Sequence, residues 1–206
     1  MNAHRPPAPL SGPSSLRVNK TLVAVTLVAT AAFARAESLT YAIDPTHTFV
    51  TFEADHLGLS TLRGRFNRKE GSLTLDKTAR SGTADITIDA GSVDTGVPAL
   101  DTRLKGKDLL DAAGFATARF TADRFSFAGD KVSEVSGTLT LRGTAQPVTL
   151  KASRFNCYIS PLLKREICGG DFETRIARSD YGMPYGIEVG LPDSIRLLVQ
   201  IEAIRQ

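Results

Sequence analysis

From residue 39 onward the chain alternates between apolar and polar side chains, the period of a half-buried β-strand. In Thr48–Asp55, Thr48, Val50, Phe52 and Ala54 fall on one face, with Phe49, Thr51 and Glu53 on the other. Thr83–Ala90 repeats the pattern, Ala84, Ile86 and Ile88 against Asp85, Thr87 and Asp89. One buried and one wet face is the signature of an antiparallel sheet. Leu39–Ile43 reads as a short opening strand, and Pro45 suits the start of the next. Gly58 and Gly64 bracket a loop, and a strand begins at Arg65. Phe66, Leu73 and Leu75 then predict two strand pieces joined across a bend or bulge at Gly71. Further strands are predicted over Ala118–Phe127, Val132–Leu141, Pro147–Phe155, Asp171–Arg178 and Ser194–Ile204. The last sets Ile195, Leu197, Val199 and Ile201 on one face. Turns fall at Lys77–Gly82, Gly129-Asp130, Gly143–Pro147, the Cys157–Cys168 loop and Tyr181–Asp193.

Val97–Asp111 breaks the alternation. Pro98 is suited to the first turn of a helix. Leu100 and Leu104 lie four apart, as do Asp101 and Lys105, which would face each other on a helix surface. Gly106 argues for one or two short helices rather than a long one. The class is therefore all-β, with eight or nine strands and one short helical insert. Such strand spacing fits a sandwich or a barrel, and closure into a barrel removes exposed edges. A barrel of about eight strands either fills its interior or holds one ligand. The inward sets are Val, Ile, Leu, Ala and Phe, and there is no Trp. That lining suits a long apolar ligand, but composition does not decide whether a cavity exists.

Composition alters the picture mainly at the N-terminus. Arg17 and Lys20 precede an uncharged apolar run, Thr21–Phe33, and Ala34-Arg35-Ala36 is an A-x-A site. Together these read as a secretory leader cleaved after Ala36, with export to the periplasm. The run is short for a membrane-spanning helix. The domain plan is then an N-terminal extension and leader over 1–36, followed by one domain over 37–206. Cleavage removes Arg5, Arg17, Lys20 and Arg35, leaving 21 Lys+Arg against 22 Asp+Glu. The charges are interspersed, which argues against nucleic acid as a partner. Two Cys, Cys157 and Cys168, most simply form one disulfide in an oxidising compartment. Zinc would need further ligands nearby.

Several stretches resemble the YceI family. Y-A-I-D-P-T-H-T-F-V-T-F-E-A-D-H-L-G-L-S at 41–60, followed by G-R-F, is similar to its opening signature. D-I-T-I-D-A-G-S-V-D-T at 85–95 and D-x-R-L-K-G-K-D-L-L-D at 101–111 follow in order. A-R-F at 118–120, G-T-L-T-L-R-G-T-A-Q-P-V-T-L at 137–150 and R-S-D-Y-G-M at 178–183 complete the likeness. Thr48 stands where the family usually has Ser. The segment from Cys157 to Asp171 looks like the disulfide-closed hairpin of a periplasmic subgroup. The resemblance implies an extended, lipocalin-like antiparallel barrel that binds polyisoprenoid or other long amphiphilic lipids, with no established reaction.

Candidate site residues fall into two groups. Phe52, Phe66, Ile86, Ile88, Phe120, Leu139, Leu141 and Val148 are read as cavity wall. His47, His56, Arg103, Arg178 and Asp180 are read as contacts for a lipid head group. His47 and His56 come with Asp44 and Asp55. Their spacing is not a metal signature, leaving structural hydrogen bonding, head-group contact or a pH-sensitive contact open. Arg178 could hold a head group through its fork of donors or pin its loop by pairing with Asp180. Arg103 has the same two readings, with the helical insert as a lid. There is no G-x-S-x-G elbow and no phosphate loop. A Ser179–His47–Asp44 set could be assembled, but nothing singles it out. The expected activity is non-enzymatic binding, transport or sequestration of an isoprenoid or fatty amphiphile, with no other cofactor. A lipid- or quinone-modifying enzyme using His47 or His56 is one alternative. A module for a membrane electron-transfer partner is another. Transient membrane association and a homodimer stay open.

Overall fold

The alternating segments form strands β1 (Leu39–Ile43), β2 (Phe49–His56), β3 (Ser60–Phe66), β4 (Lys69–Asp76), β5 (Ser81–Asp89) and β6 (Val93–Asp94). After helix α1 (Pro98–Leu104) come β7 (Thr117–Ala128), β8 (Lys131–Leu141), β9 (Thr144–Ile159), β10 (Glu166–Ala177) and β11 (Ser194–Arg205). This computed structural model describes residues 38–206, together with Met1 and Ala3. The leader expected over 1–36 therefore lies outside the described residues, apart from those two.

Eleven strands make only eight staves. β1 and β2 both pair with β11, at Tyr41↔Arg205 and at Phe52↔Leu197. They are two halves of one stave, interrupted at residues 44–48. β3 and β4 form the second stave, paired with β2 and β1 respectively. β5 and β6 form the third. Each later strand pairs with its predecessor, and β11 returns to β1. The result is a closed, all-antiparallel, up-and-down barrel, in which only the two-residue β6 keeps an unpaired side, towards β7.

Local bonds set the interruptions. In the first stave, Asp44 Oδ1 accepts from the Thr46 amide at 2.9 Å and the Thr46 hydroxyl at 2.6 Å, and Oδ2 meets His47 Nδ1 at 2.8 Å. The buried Thr48 hydroxyl then bridges to β11, donating to the Glu202 carbonyl and accepting from its amide, both at 3.2 Å. In the third stave a short 3₁₀ turn, Ala90–Ser92, is capped by Asp89, whose Oδ1 accepts from Gly91 N at 2.7 Å. Ser92 meets the second stave: its carbonyl accepts from Asn67 N and its hydroxyl from Arg68 N, both at 3.0 Å.

This corrects two readings. The second stave breaks at residues 67–68, where the chain bonds to Ser92, and not at Gly71. Gly71 lies within β4 at φ 149°, and a Cβ there would come within 2.2 Å of the Asp85 carbonyl oxygen. Gly64 is no loop boundary but a buried residue of β3 opposite Phe52. The Phe52 ring lies across it, so an added Cβ would meet Phe52 Cζ at 2.3 Å.

α1 stops before Gly106, as the helix cost of glycine requires. Asp101 does not pair with Lys105. Its Oδ1 accepts from the amide and hydroxyl of Thr95, at 2.7 and 2.6 Å, and ties α1 to the preceding loop. Cys157 and Cys168 form a disulfide. They face each other across β9 and β10 and are not the ends of a loop; the turn itself spans residues 160–165.

Even stave number fixes polarity. Connections 57–59, 95–116, 142–143 and 178–193 lie at one pole, the α1 pole. Connections 77–80, 129–130 and 160–165 lie at the other, where β1 starts and β11 ends. At that second pole, fully buried Tyr41 donates its hydroxyl to Glu166 Oε2 at 2.7 Å, and Lys77 binds the other carboxylate oxygen. Burial first, then the Glu166 contact, raises the Tyr41 phenol well above its ordinary range.

Candidate functional site

The inward residues do not fill the barrel. A deep chamber of about 110 Å³ and a chamber of about 330 Å³ under α1 share Val50, Ile88, Leu139 and Leu197 in their walls. Their lining is almost wholly apolar. All eight residues read as cavity wall are on it: Ile86, Phe120 and Val148 in the deep chamber, Phe52, Phe66 and Leu141 in the α1 chamber, Ile88 and Leu139 in both. Strand period puts them there, since each lies an even number of residues from its lumenal neighbours. The rings of Phe52 and Phe66 pack at 6.0 Å between centroids, tilted by 53°.

The α1 chamber carries the polar groups. Leu100 and Leu104 of α1 roof it, as their four-residue spacing allows. Arg103 stacks on the Tyr185 ring, 4.0 Å from its centroid, and pairs with Asp108 at 3.2 Å. That contact bridges α1 to the 178–193 connection. Tyr185 carried no sequence signal, because it sits in an irregular connection where periodicity is silent. His56, exposed at the end of β2, lines the same chamber with Asp55.

Arg178 is the unusual member. It is only 7% exposed and lines the α1 chamber. Nε donates to the Pro192 carbonyl at 2.7 Å and Nη1 to that of Met183. Nη2 has no hydrogen-bond partner among the described residues, and no carboxylate forms an ion pair with this arginine. Burial lowers its pKa, opposed by the more distant charges of Asp193 and Glu188. A guanidinium presents five N–H donors. Here two nitrogens brace the loop, and the third is available to an acceptor within an apolar space.

Other candidates lie elsewhere. The expected Arg178–Asp180 pair is absent: Asp180 is exposed and lines neither chamber, while Arg178 turns inward to backbone carbonyls. His47 is also outside the lumen, on the exposed turn that interrupts the first stave. The hydrogen bond to Asp44 raises its pKa. Contacts to Thr46 and His47 hold Asp44 down at about 2. Ser179, His47 and Asp44 form no relay, since Ser179 gives its hydroxyl proton to Asp193 at 2.7 Å.

The model of the YceI-like domain matches residues 41–203, which spans the whole barrel. The chain belongs to the YceI family. A YceI relative named UPF0312 protein PA0423, from Pseudomonas aeruginosa, is 32% identical over 194 residues, covering 92% of this chain and all of its own. Among solved structures, BcnA of Burkholderia cenocepacia superposes with a TM-score of 0.64 at 23% identity, over 78% of this chain and 98% of its own. A polyisoprenoid binding domain from Saccharophagus degradans superposes at 0.59 with 21% identity, over 82% and 99%. Those structural likenesses establish the YceI fold. Against that fold, the D-P-T-H-T stretch of the signature is a stave-interrupting turn, with Thr48 bonding into β11.

Proposed function

We propose that this YceI barrel binds one long-chain isoprenoid or similar amphiphilic lipid in its lumen and carries or sequesters it, chemically unchanged, in the periplasm. The observation that carries this reading is the pair of adjoining apolar chambers, the larger lined by a buried arginine whose Nη2 is unengaged. The fold shared with a domain named for polyisoprenoid binding supports it. Each methylene moved from water into the lumen is worth ~0.8 kcal/mol, so the tail supplies most of the affinity. Arg178 Nη2 then receives a carbonyl, hydroxyl or phosphate oxygen of the head, with Arg103 and His56 at the chamber's outer wall. Charge-assisted bonds of this kind are shorter and stronger than neutral ones.

Native mass spectrometry of protein taken from the periplasm, followed by solvent extraction, tests the proposal. A discrete added mass that extracts as a prenyl or acyl species is expected. Leu141→Asp and Ile88→Asp should abolish it. Arg178→Lys should weaken retention, with a modest fall in melting temperature as at least one of the two loop-bracing bonds is lost. A clean apo mass that takes up neither prenyl nor fatty amphiphiles would overturn the carrier reading.

A further inference from the structure

The pole opposite α1 carries a feature that ligand binding does not use. The β9–β10 hairpin ends in Tyr158, Ile159, Leu162 and Leu163, four large apolar side chains within six residues, and all four are exposed. Leu162 is 87% exposed and Ile159 64%. Single exposed leucines are ordinary, whereas a contiguous apolar tip marks an interaction surface. The tip is also built to hold its shape. Lys164 N donates to the Ser160 carbonyl at 2.8 Å, Ser160 N to the Arg165 carbonyl at 2.9 Å, and Leu163 N to Ser160 Oγ at 3.2 Å. The Cys157–Cys168 disulfide locks the strands two residue pairs behind it.

Charge identifies the occupant. The connections at this pole hold Lys77, Arg80, Lys164 and Arg165 against one acid, Asp130. Lys77 is paired with Glu166, while Arg80, Lys164 and Arg165 have no carboxylate partner among the described residues. Connections at the α1 pole hold five Lys or Arg against six Asp or Glu. The barrel is therefore polarised, its connections net basic beside the apolar tip and slightly acidic at the α1 pole. Leucine and isoleucine at an extremity, a tyrosine behind them and flanking cations match the layered chemistry of an anionic bilayer surface.

We propose that the hairpin tip docks the barrel onto an anionic membrane surface, with the α1 pole turned away from it. The leucines enter the acyl boundary, and Lys164 and Arg165 meet the lipid phosphates. This inference is independent of what the lumen holds. Native mass spectrometry of the tip variants reads cargo separately, so the two proposals can fail apart.

The chain has no Trp, so single-Trp variants report cleanly. Leu162→Trp and, at the α1 pole, Leu59→Trp would be mixed with phosphatidylethanolamine–phosphatidylglycerol vesicles and with phosphatidylcholine vesicles. The expected result is a blue shift for Leu162→Trp on anionic vesicles only, and no shift for Leu59→Trp. Lys164→Gln and Arg165→Gln should each weaken binding by about fivefold, and added salt should weaken it further. Leu162→Asp should abolish it with an unchanged melting temperature. A shift at Leu59→Trp, or no shift at either probe, would overturn the proposal. So would a lipid-free dimer that Leu162→Asp dissolves.

Discussion

Thr48 shows how one hydroxyl closes a seam. It occupies the Glu202 amide and shares the Glu202 carbonyl with Asp44 N, at the point where the first stave is interrupted. Thr48→Val keeps the volume and removes both bonds, leaving the half-buried Glu202 amide without its partner. A loss of about 1–3 kcal/mol is expected by urea denaturation, and Thr48→Ser should recover most of it. His47, on the same turn, makes stability depend on pH. Its folded pKa is raised, so the His47–Asp44 contribution is complete below about pH 6.5, where His is also charged when unfolded. It fades as pH rises through the folded pKa. On the acid side it is lost as Asp44 protonates toward about 2. The melting-temperature gap between the parent and His47→Ala should therefore be widest near pH 5 and narrow by about pH 8. A gap that widens with pH would refute the assignment.

At the scale of elements, α1 and the 178–193 connection meet side chain to side chain where Arg103 covers Tyr185. Such a contact is worth about 1 kcal/mol when partly exposed. Tyr185→Ala should speed lipid exchange about fivefold in stopped-flow displacement, while Tyr185→Phe stays near the parent rate. Unchanged exchange in Tyr185→Ala would show that traffic does not pass this contact. The strands themselves were readable because a two-residue period, once one face is buried, dictates every inward side chain. That is why Phe52, Ile88, Leu139 and Val148 could be placed on the lumen beforehand. The interruptions were not readable. They depend on Ser92 meeting Asn67 and Arg68, and on Thr48 meeting Glu202, partners far apart in sequence. The alternative reading that paired Arg178 with Asp180 failed for a related reason. A short 3₁₀ turn gives them different directions, and two-residue spacing no longer means a shared face.

For the whole molecule, every contact between staves but one joins staves that are consecutive in the chain. One pairing is different: β11 must find β1 and β2, with partners as distant as Tyr41 and Arg205. Non-local closure of this kind is slow relative to hairpin formation. Until it happens, both terminal staves expose an unpaired edge, so unfolding should be all-or-none, and partly folded chains should be prone to strand exchange. The chambers are lined by Val50 and Phe52 on one side of that seam and Leu197 on the other, so if the lumen carries the proposed cargo, extracting it should lower the melting temperature measured by calorimetry. The seam has a further consequence. Gln206 N donates to the Thr40 carbonyl at 2.9 Å, so the first and last strands of the barrel adjoin at their outer ends and the ring has no intrinsic beginning. A circular permutant that joins residues 38 and 206 by a short linker and opens at Gly129 would keep every stave and its neighbours. Only the last pair to meet would change, making β7 and β8 the late partners and the present seam an ordinary early hairpin.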